Sequence, residues 1–128
     1  MKRDMDLIRE LMLKLEALPM RPGAILLLKG TAAELQMNGY SAEQIDYHLA
    51  LTREAGLIDS PGGGPIGGGI QFRRLTWAGH DFLDSVRSPD VWDRTKQAAS
   101  TAGGFTVDLL VFAAKSYLEG KIKGLIGG

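Results

Sequence analysis

The segment AGLIDSPGGGPIGGGIQFRRLTWAGHDFLD, residues 55–84, carries the pattern on which the fold prediction depends. A helical pattern ends at its start, at Gly56, a residue type that commonly terminates helices. Two short apolar segments, residues 57–58 and 70–75, flank a tract with six glycines in the eight positions 62–69. Such a tract does not pack, so we expect two strands joined by a mobile tip. The pattern predicts a β-hairpin that directly follows a helix.

Another helix is predicted after the hairpin, from Trp77 to Val86, with Thr76 as its N-cap. Gly79 costs such a helix about 1 kcal/mol relative to alanine, and close approach of another backbone is a reason to keep it. We expect the buried side of this helix to consist of Trp77, Phe82, Leu83 and Val86.

Two helices are predicted before the hairpin. Residues 4–18 carry apolar side chains at helical spacing, and Pro19 and Pro22 end that helix. Ser41 and Gln44 form a capping box that starts a second helix. Its inner stripe is Ile45, Leu49 and Thr52, with Ala42, His48 and Ala55 beside it. Between the two helices lie a short apolar run, residues 24–28, and a possible strand, residues 35–37.

The order helix, short strand, helix, hairpin, helix is that of a winged helix. We therefore predict an α+β, mostly helical fold, with a winged helix-turn-helix-like domain over residues 1–102 and a glycine-rich wing tip at residues 60–69. The alternative is a small α+β domain that only resembles a winged helix.

A long C-terminal helix is predicted within residues 103–128, capped by Thr106 and running to about Ile126. It has one continuous apolar stripe and further apolar residues off that stripe, so it needs two partners. A second copy is the expected one, because two-fold dimers are the commonest oligomers. The homodimer interface is predicted at Leu109, Phe112, Leu110 and Leu118. Contact with a membrane surface and full burial in the monomer are the alternatives.

The composition excludes several classes of protein. The 128 residues include no cysteine, which excludes a disulfide scaffold, a thiolate metal site and a cysteine nucleophile. The N-terminus lacks the apolar core of a signal peptide, and no apolar stretch is long enough to span a bilayer. We therefore expect a cytoplasmic protein without a membrane partner.

Four motifs carry a family resemblance: MKRDMDLIRELMLKLE (1–16), GYSAEQIDYHLALTREAGLI (39–58), RLTWAGHDFLDSVR (74–87) and VWDRTK (91–96). In this order they resemble an uncharacterised family of small phage- and prophage-associated proteins. The resemblance implies a winged-helix-like domain of unknown function. The sequence departs from the family pattern at residues 19–30, at Thr52 and in the glycine-rich tip.

A winged helix favours DNA binding and a role in transcriptional regulation, by analogy of fold. The second helix, however, shows three acids and one base on its outer face, a poor surface for a polyanion. The residues predicted to contact nucleic acid are Arg73, Arg74, Tyr47, Arg53, Lys2 and Arg3. Arg73 and Arg74 could instead be solvated charges of an edge strand. The alternative function is a winged helix that binds a protein, for which an acidic helix face is an asset.

Catalysis is not expected. The order His48, His80-Asp81, Asp108 resembles the ligand order of two-metal phosphohydrolases, but acids following a histidine are common by chance. We expect His48 to be a hydrogen-bonded core residue and predict no metal site and no cofactor. The glycine tract has no Gly-Lys-Ser/Thr ending and leads into a strand, so it is not a phosphate loop. Binding of a small nucleotide stays open, without a motif behind it.

Overall fold

A computed structural model describes residues 1–62, 67–101 and 106–126 of the chain. Two compact units are present, Met1–His80 and Asp81–Gly128. Within the described residues helices predominate over short strands, which confirms the predicted α+β, mostly helical class. The division between the units falls inside a helix. The winged-helix-like domain over residues 1–102, with residues 103–128 as a C-terminal helix of the same domain, stays a prediction.

The first two helices lie where the sequence places them. Helix α1 spans Met5–Ala17, and the carboxylate of Asp4 accepts hydrogen bonds from the first backbone N–H groups of the helix. Helix α2 spans Ala42–Glu54 and begins with the predicted capping box. Helix α1 packs against α2 and against a 3₁₀ turn at Ala33–Leu35. Its apolar side chains supply a large share of the core of this unit.

The segment 70–75 pairs with two different strands. Strand β1 (Leu26–Leu28) runs antiparallel to β3 (Ile70–Phe72), and β2 (Ile58–Asp59) runs antiparallel to β4 (Arg74–Leu75). The β2–β4 pairing confirms the predicted hairpin at its base. Residues 63–66 of the predicted mobile tip lie outside the described part of the chain. The pairing with β1 was not foreseen, because it joins residues more than 40 positions apart.

The strand considered for residues 35–37 is wrong. Leu35 ends the 3₁₀ turn, and the side-chain amide of Gln36 donates hydrogen bonds to the carbonyl oxygens of Gly30 (2.7 Å) and Ala32 (2.8 Å). The backbone N–H groups of Leu35 and Gln36 donate to the carbonyl oxygens of Ala32 (3.0 Å) and Ala33 (3.4 Å), so they form a turn and no strand pairing. The turn leads into α2.

Helix α3 spans Trp77–Val86, as predicted. Thr76 caps it, since its hydroxyl accepts a hydrogen bond from the N–H of Gly79 (3.0 Å) and donates one to the carbonyl of Gly56 (2.6 Å). A Cβ atom at position 79 would collide with the carbonyl oxygen of Leu57. The predicted reason for this glycine, close approach of another backbone, is confirmed.

Two helices make up most of the second unit. Helix α5 spans Val107–Ile126, as predicted, but α4 (Pro89–Thr101) was missed. Its signal was present in the sequence. Ser88 precedes proline at the first helical position, and the N–H of Val91 lies 3.5 Å from the hydroxyl oxygen of Ser88. Helix α4 packs along α5.

Candidate interaction surface

Trp77 is the most conspicuous exposed side chain of the first unit. We expected it to be buried, and this is wrong, because 85% of its surface is exposed. The buried positions of α3 include Phe82, Leu83 and Val86, which lie within one arc of the helix. At about 100° per residue, Trp77 lies on the opposite side from that arc. Helical spacing alone could therefore have identified it as an outward-facing residue.

Trp77 lines an open depression of about 510 Å³. Residues of the short strands β2 and β4 and one residue near the end of α2 line it. Its lining residues are Arg53, Ile58, Asp59, Ser60, Arg74, Leu75, Thr76 and Trp77. We call this lining the Trp77 surface. It brings together Arg53 and Arg74, two of the predicted contact residues, with an aromatic side chain that the predictions had assigned to the core.

The charges of the Trp77 surface are partly paired. The Asp59 carboxylate lies 3.4 Å from the guanidinium of Arg73 and 3.5 Å from that of Arg74. Arg53 donates a hydrogen bond of 2.6 Å to the carbonyl of Gly62. The side chain of Arg74 is nonetheless 69% exposed. Such surface pairs contribute about 1 kcal/mol at most, so Arg74 can exchange Asp59 for another acceptor at little cost.

Arg73 lies apart from the lining of the depression. Its side chain is about one-third exposed, and its Nε is buried without a hydrogen-bond partner in the described part of the chain. Because of this burial and its contact with Asp59, Arg73 is mainly a structural residue next to strands β3 and β4, and its charge is only partly available at the surface. Arg73 and Arg74, which the sequence suggested as one basic pair, therefore lie in different environments.

The remaining predicted contact residues lie elsewhere on the first unit. Tyr47 is partly exposed on α2, and Lys2 and Arg3 precede α1. The start of α1 is tied to α2, because the backbone N–H of Asp4 donates to His48 Nε2 (2.8 Å). No described contact brings these three residues into the Trp77 surface.

Tyr40 supports the same junction. Its hydroxyl donates a 3.0 Å hydrogen bond to the Asp4 carboxylate. Partial burial and this carboxylate raise the pKa of Tyr40 above its usual value of 10.0. The hydroxyl therefore remains a donor throughout the neutral range, and the cap of α1 keeps its support.

The outer face of α2 is acidic, as predicted, but its acids differ in role. Glu43 and Glu54 are exposed and flank Tyr47. Asp46 instead accepts a hydrogen bond from the backbone N–H of Gly30, in the loop after β1. Asp46 is therefore a structural residue, and two acids remain free to face a partner.

His48 is a core residue, as expected. It is buried, and its Nδ1 lies 2.8 Å from the carbonyl oxygen of Gln44 while Nε2 accepts from Asp4. Both ring nitrogens are thus engaged within the fold. Among the described residues, no group of three or more histidines and acids has the geometry of a metal site. The side chain of Asp108 lies outside the described part of the chain.

The predicted interface residues of α5 divide between its two sides. Leu110 is buried, so it is not exposed to a partner, and Leu118 is half-buried. Phe112 is 69% exposed. The side chain of Leu109 lies outside the described part of the chain. Within that part, no helix combines the length and apolarity that crossing a membrane requires.

Comparison with known proteins places the chain in a family. Residues 2–105 match the family described as "Hypothetical protein (DUF2513)". These residues include the whole Trp77 surface. An "Uncharacterized protein" of Haemophilus influenzae (strain ATCC 51907 / DSM 11121 / KW20 / Rd) is 32% identical over 120 residues, which cover 93% of each chain. No solved structure gives a significant match.

The resemblance drawn from the four motifs is thus confirmed at the level of an uncharacterised family. Its two finer implications, the phage association and the winged helix, stay predictions. The chain belongs to the family described as "Hypothetical protein (DUF2513)".

Proposed function

We propose that the first unit is a winged-helix module that binds a protein partner through the Trp77 surface. The observation that carries this proposal is the 85% exposure of Trp77 beside the exposed guanidinium of Arg74. Tryptophan is seldom left so exposed, and tryptophan and arginine are the residue types most enriched at the energetic centres of protein interfaces.

The winged-helix part of the proposal rests on topology. Segment 70–75 pairs with β1 at its start and with β2 at its end, so one strand segment is shared by a strand before α2 and a strand after it. The 3₁₀ turn at Ala33–Leu35 stands directly before α2, where a helix-turn-helix has its first helix. Together with α1 in front, this is the element order that a winged helix requires.

Charge favours a protein over DNA as the partner. Residues 1–80 contain nine lysines and arginines and nine aspartates and glutamates. Affinity for DNA grows with the number of phosphates that a protein neutralises, so a neutral unit with Glu43 and Glu54 on its α2 face is poorly suited to it. A protein interface, in contrast, gains from an aromatic anchor surrounded by polar groups.

The chemistry of the Trp77 surface defines the partner. Arg53 and Arg74 present guanidinium groups that pair well with carboxylates. Trp77 offers a large exposed apolar face on the same surface. We therefore expect the partner to present an acidic segment that carries at least one apolar side chain. If the chain is of phage origin, as the resemblance implies, host and phage proteins are the source of such a segment.

A displayed library of random peptides tests the proposal and does not require that the partner be identified first. The full chain is the bait, and the W77A/R74A variant removes peptides that bind elsewhere. We expect enriched peptides to carry aspartate or glutamate with an apolar residue, and to lose at least about tenfold in affinity with either single variant. Matched controls are I25A and R21A, exposed side chains of similar chemistry outside the Trp77 surface, which should bind as the wild type does. If every peptide that binds the wild-type chain also binds W77A/R74A, so that none is left after this removal, the assignment is refuted.

DNA binding is the second candidate, and the same topology favours it, since a helix after a turn is the element that enters the major groove in helix-turn-helix proteins. It is tested by the anisotropy of a labelled random duplex at low and moderate salt. Binding that weakens steeply with salt and strengthens in E43K/E54K would establish DNA as the target. Absence of binding at low salt, together with acidic peptides from the library, would support the protein partner.

A further inference from the structure

In the described part of the chain, helix α4 covers one side of helix α5. Leu110 and Ala114 are buried on the side that faces α4. On the same side, the hydroxyl of Tyr117 donates to Asp90 (3.0 Å), and the ammonium of Lys121 lies 3.7 Å from the same carboxylate. These contacts fix the rotation of α5 about its axis.

The opposite side of α5 carries a row of four exposed residues, Phe112, Lys115, Glu119 and Ile122, which we call the outer face. Phe112 is 69% exposed and Ile122 is 53% exposed. The steps of three, four and three residues place all four within an arc of roughly 80°. This is the spacing with which one helix packs against another.

The order along the outer face is apolar, positive, negative, apolar. Lys115 and Glu119 form no ion pair with any residue in the described part of the chain. Two copies of this row are complementary to each other when they run in opposite directions. Turned end to end, the row places an apolar residue against an apolar residue and a lysine against a glutamate.

We propose that α5 pairs antiparallel with α5 of a second copy, about a two-fold axis that crosses the helix near residue 117. Phe112 then packs on Ile122 of the partner subunit, and Lys115 meets Glu119 of the partner subunit. The symmetry repeats both contacts, as an interface between identical surfaces requires. A parallel pairing would place lysine against lysine and glutamate against glutamate, which is repulsive. This inference concerns the second unit and does not depend on the partner proposed for the Trp77 surface.

The oligomeric state of the full chain tests the pairing by sedimentation velocity over a wide range of concentration. We expect a reversible dimer for the wild type and for K29E, a charge reversal at an exposed lysine of the first unit. K115E places two acids against each other and should raise the dissociation constant at least about tenfold. The exchange K115E/E119K restores the opposite charges and should bring the constant back to within about threefold of the wild type.

Disulfide trapping tests the direction of the helices, since the chain has no cysteine of its own. K115C and E119C are prepared separately and mixed under mild oxidation. The antiparallel pairing predicts that the mixture cross-links faster than either variant alone. A chain that is monomeric throughout, a dimer that K115E and F112A leave unchanged, or faster cross-linking within each variant alone would overturn the proposal. A monomer that binds anionic vesicles through Phe112 would overturn it as well.

Discussion

Helices α2 and α5 both bury one side, but they differ on the other. The outer side of α2 presents Glu43, Tyr47 and Glu54 to solvent, and Asp46 closes a loop of the same unit. The outer face of α5 presents Phe112 and Ile122, and no described residue covers them. The outer side of α2 is therefore largely polar and suited to solvent, whereas α5 exposes apolar side chains that no other described residue covers.

The helical glycines show the same contrast. Gly79 of α3 lies where the backbone of Leu57 leaves no room for a side chain. A Cβ atom at Gly120 or Gly124 of α5 would have no neighbouring atom within 4 Å among the described residues. One glycine is required by tertiary contact, while the other two weaken a helix without an evident gain in packing.

The largest expected effect is that of G79A. The added methyl group would meet the carbonyl oxygen of Leu57, a backbone atom, and Met12 Cε at 3.1 Å. The backbone cannot yield without opening the junction that Thr76 closes, so we expect a loss of roughly 3 kcal/mol in the free energy of unfolding. Chemical denaturation of the full chain measures it. A loss below about 1 kcal/mol would mean that the α3 junction is not tightly packed.

Asp46 should come next. D46A removes the acceptor of the Gly30 N–H, and hydrogen bonds to charged groups contribute about 1.5–3 kcal/mol. We expect a loss of about 2 kcal/mol in the same denaturation measurement. The matched control is E43A, an exposed acid of the same helix, which should change stability by no more than about 0.5 kcal/mol. Equal effects of the two variants would contradict the division of α2 acids into structural and free ones.

G120A is expected to raise the free energy of unfolding, whereas G79A lowers it. Since no described residue lies near the new methyl group, the variant should gain up to about 1 kcal/mol from the lower conformational entropy of the unfolded chain. Helix content by circular dichroism and the midpoint of thermal unfolding of α5 are the measurements. A destabilised variant would show that an unrecognised contact approaches Gly120.

The smallest effect is expected at Tyr40. Y40F removes the donor to Asp4 and should cost about 1 kcal/mol or less, because the pair is partly exposed. The raised pKa of Tyr40 makes this contribution dependent on pH. The folded chain holds the phenolic proton more tightly than the unfolded chain, so the contribution is complete below the ordinary tyrosine pKa of 10.0 and is lost as pH rises through the folded value. Wild type and Y40F should therefore converge in stability at strongly alkaline pH, and parallel curves would contradict this.

Much of the first unit could be predicted from sequence. The capping box at Ser41, the stop at Gly56 and the cap at Thr76 are local hydrogen-bond patterns, and all three are present. The miss at α4 was avoidable, because Ser88-Pro89 is a recognisable helix start. The wrong prediction that Trp77 is buried was avoidable too, since helical spacing alone places this side chain on the exposed side of α3.

The candidate site was less predictable than the elements that hold it. Arg53 and Arg74 were named from their charge, but their meeting at Trp77 depends on how the end of α2 approaches β4. The same holds for Asp46, which resembles a surface acid until Gly30 is brought to it. The sequence shows that a side chain is charged, but it does not show which residue that side chain contacts in the folded chain.

Local sequence was enough to define most of the helices, their caps and the glycine stops, because these depend on hydrogen bonds and apolar spacing within a few residues. Packing was needed to pair β1 with β3, to bring Leu57 across Gly79, and to bring Arg53 to the surface that Arg74 and Trp77 line. These features join residues far apart in the chain, or depend on which surface is left uncovered once each unit has packed. They are stabilised by tertiary contacts, which a local sequence pattern does not reveal.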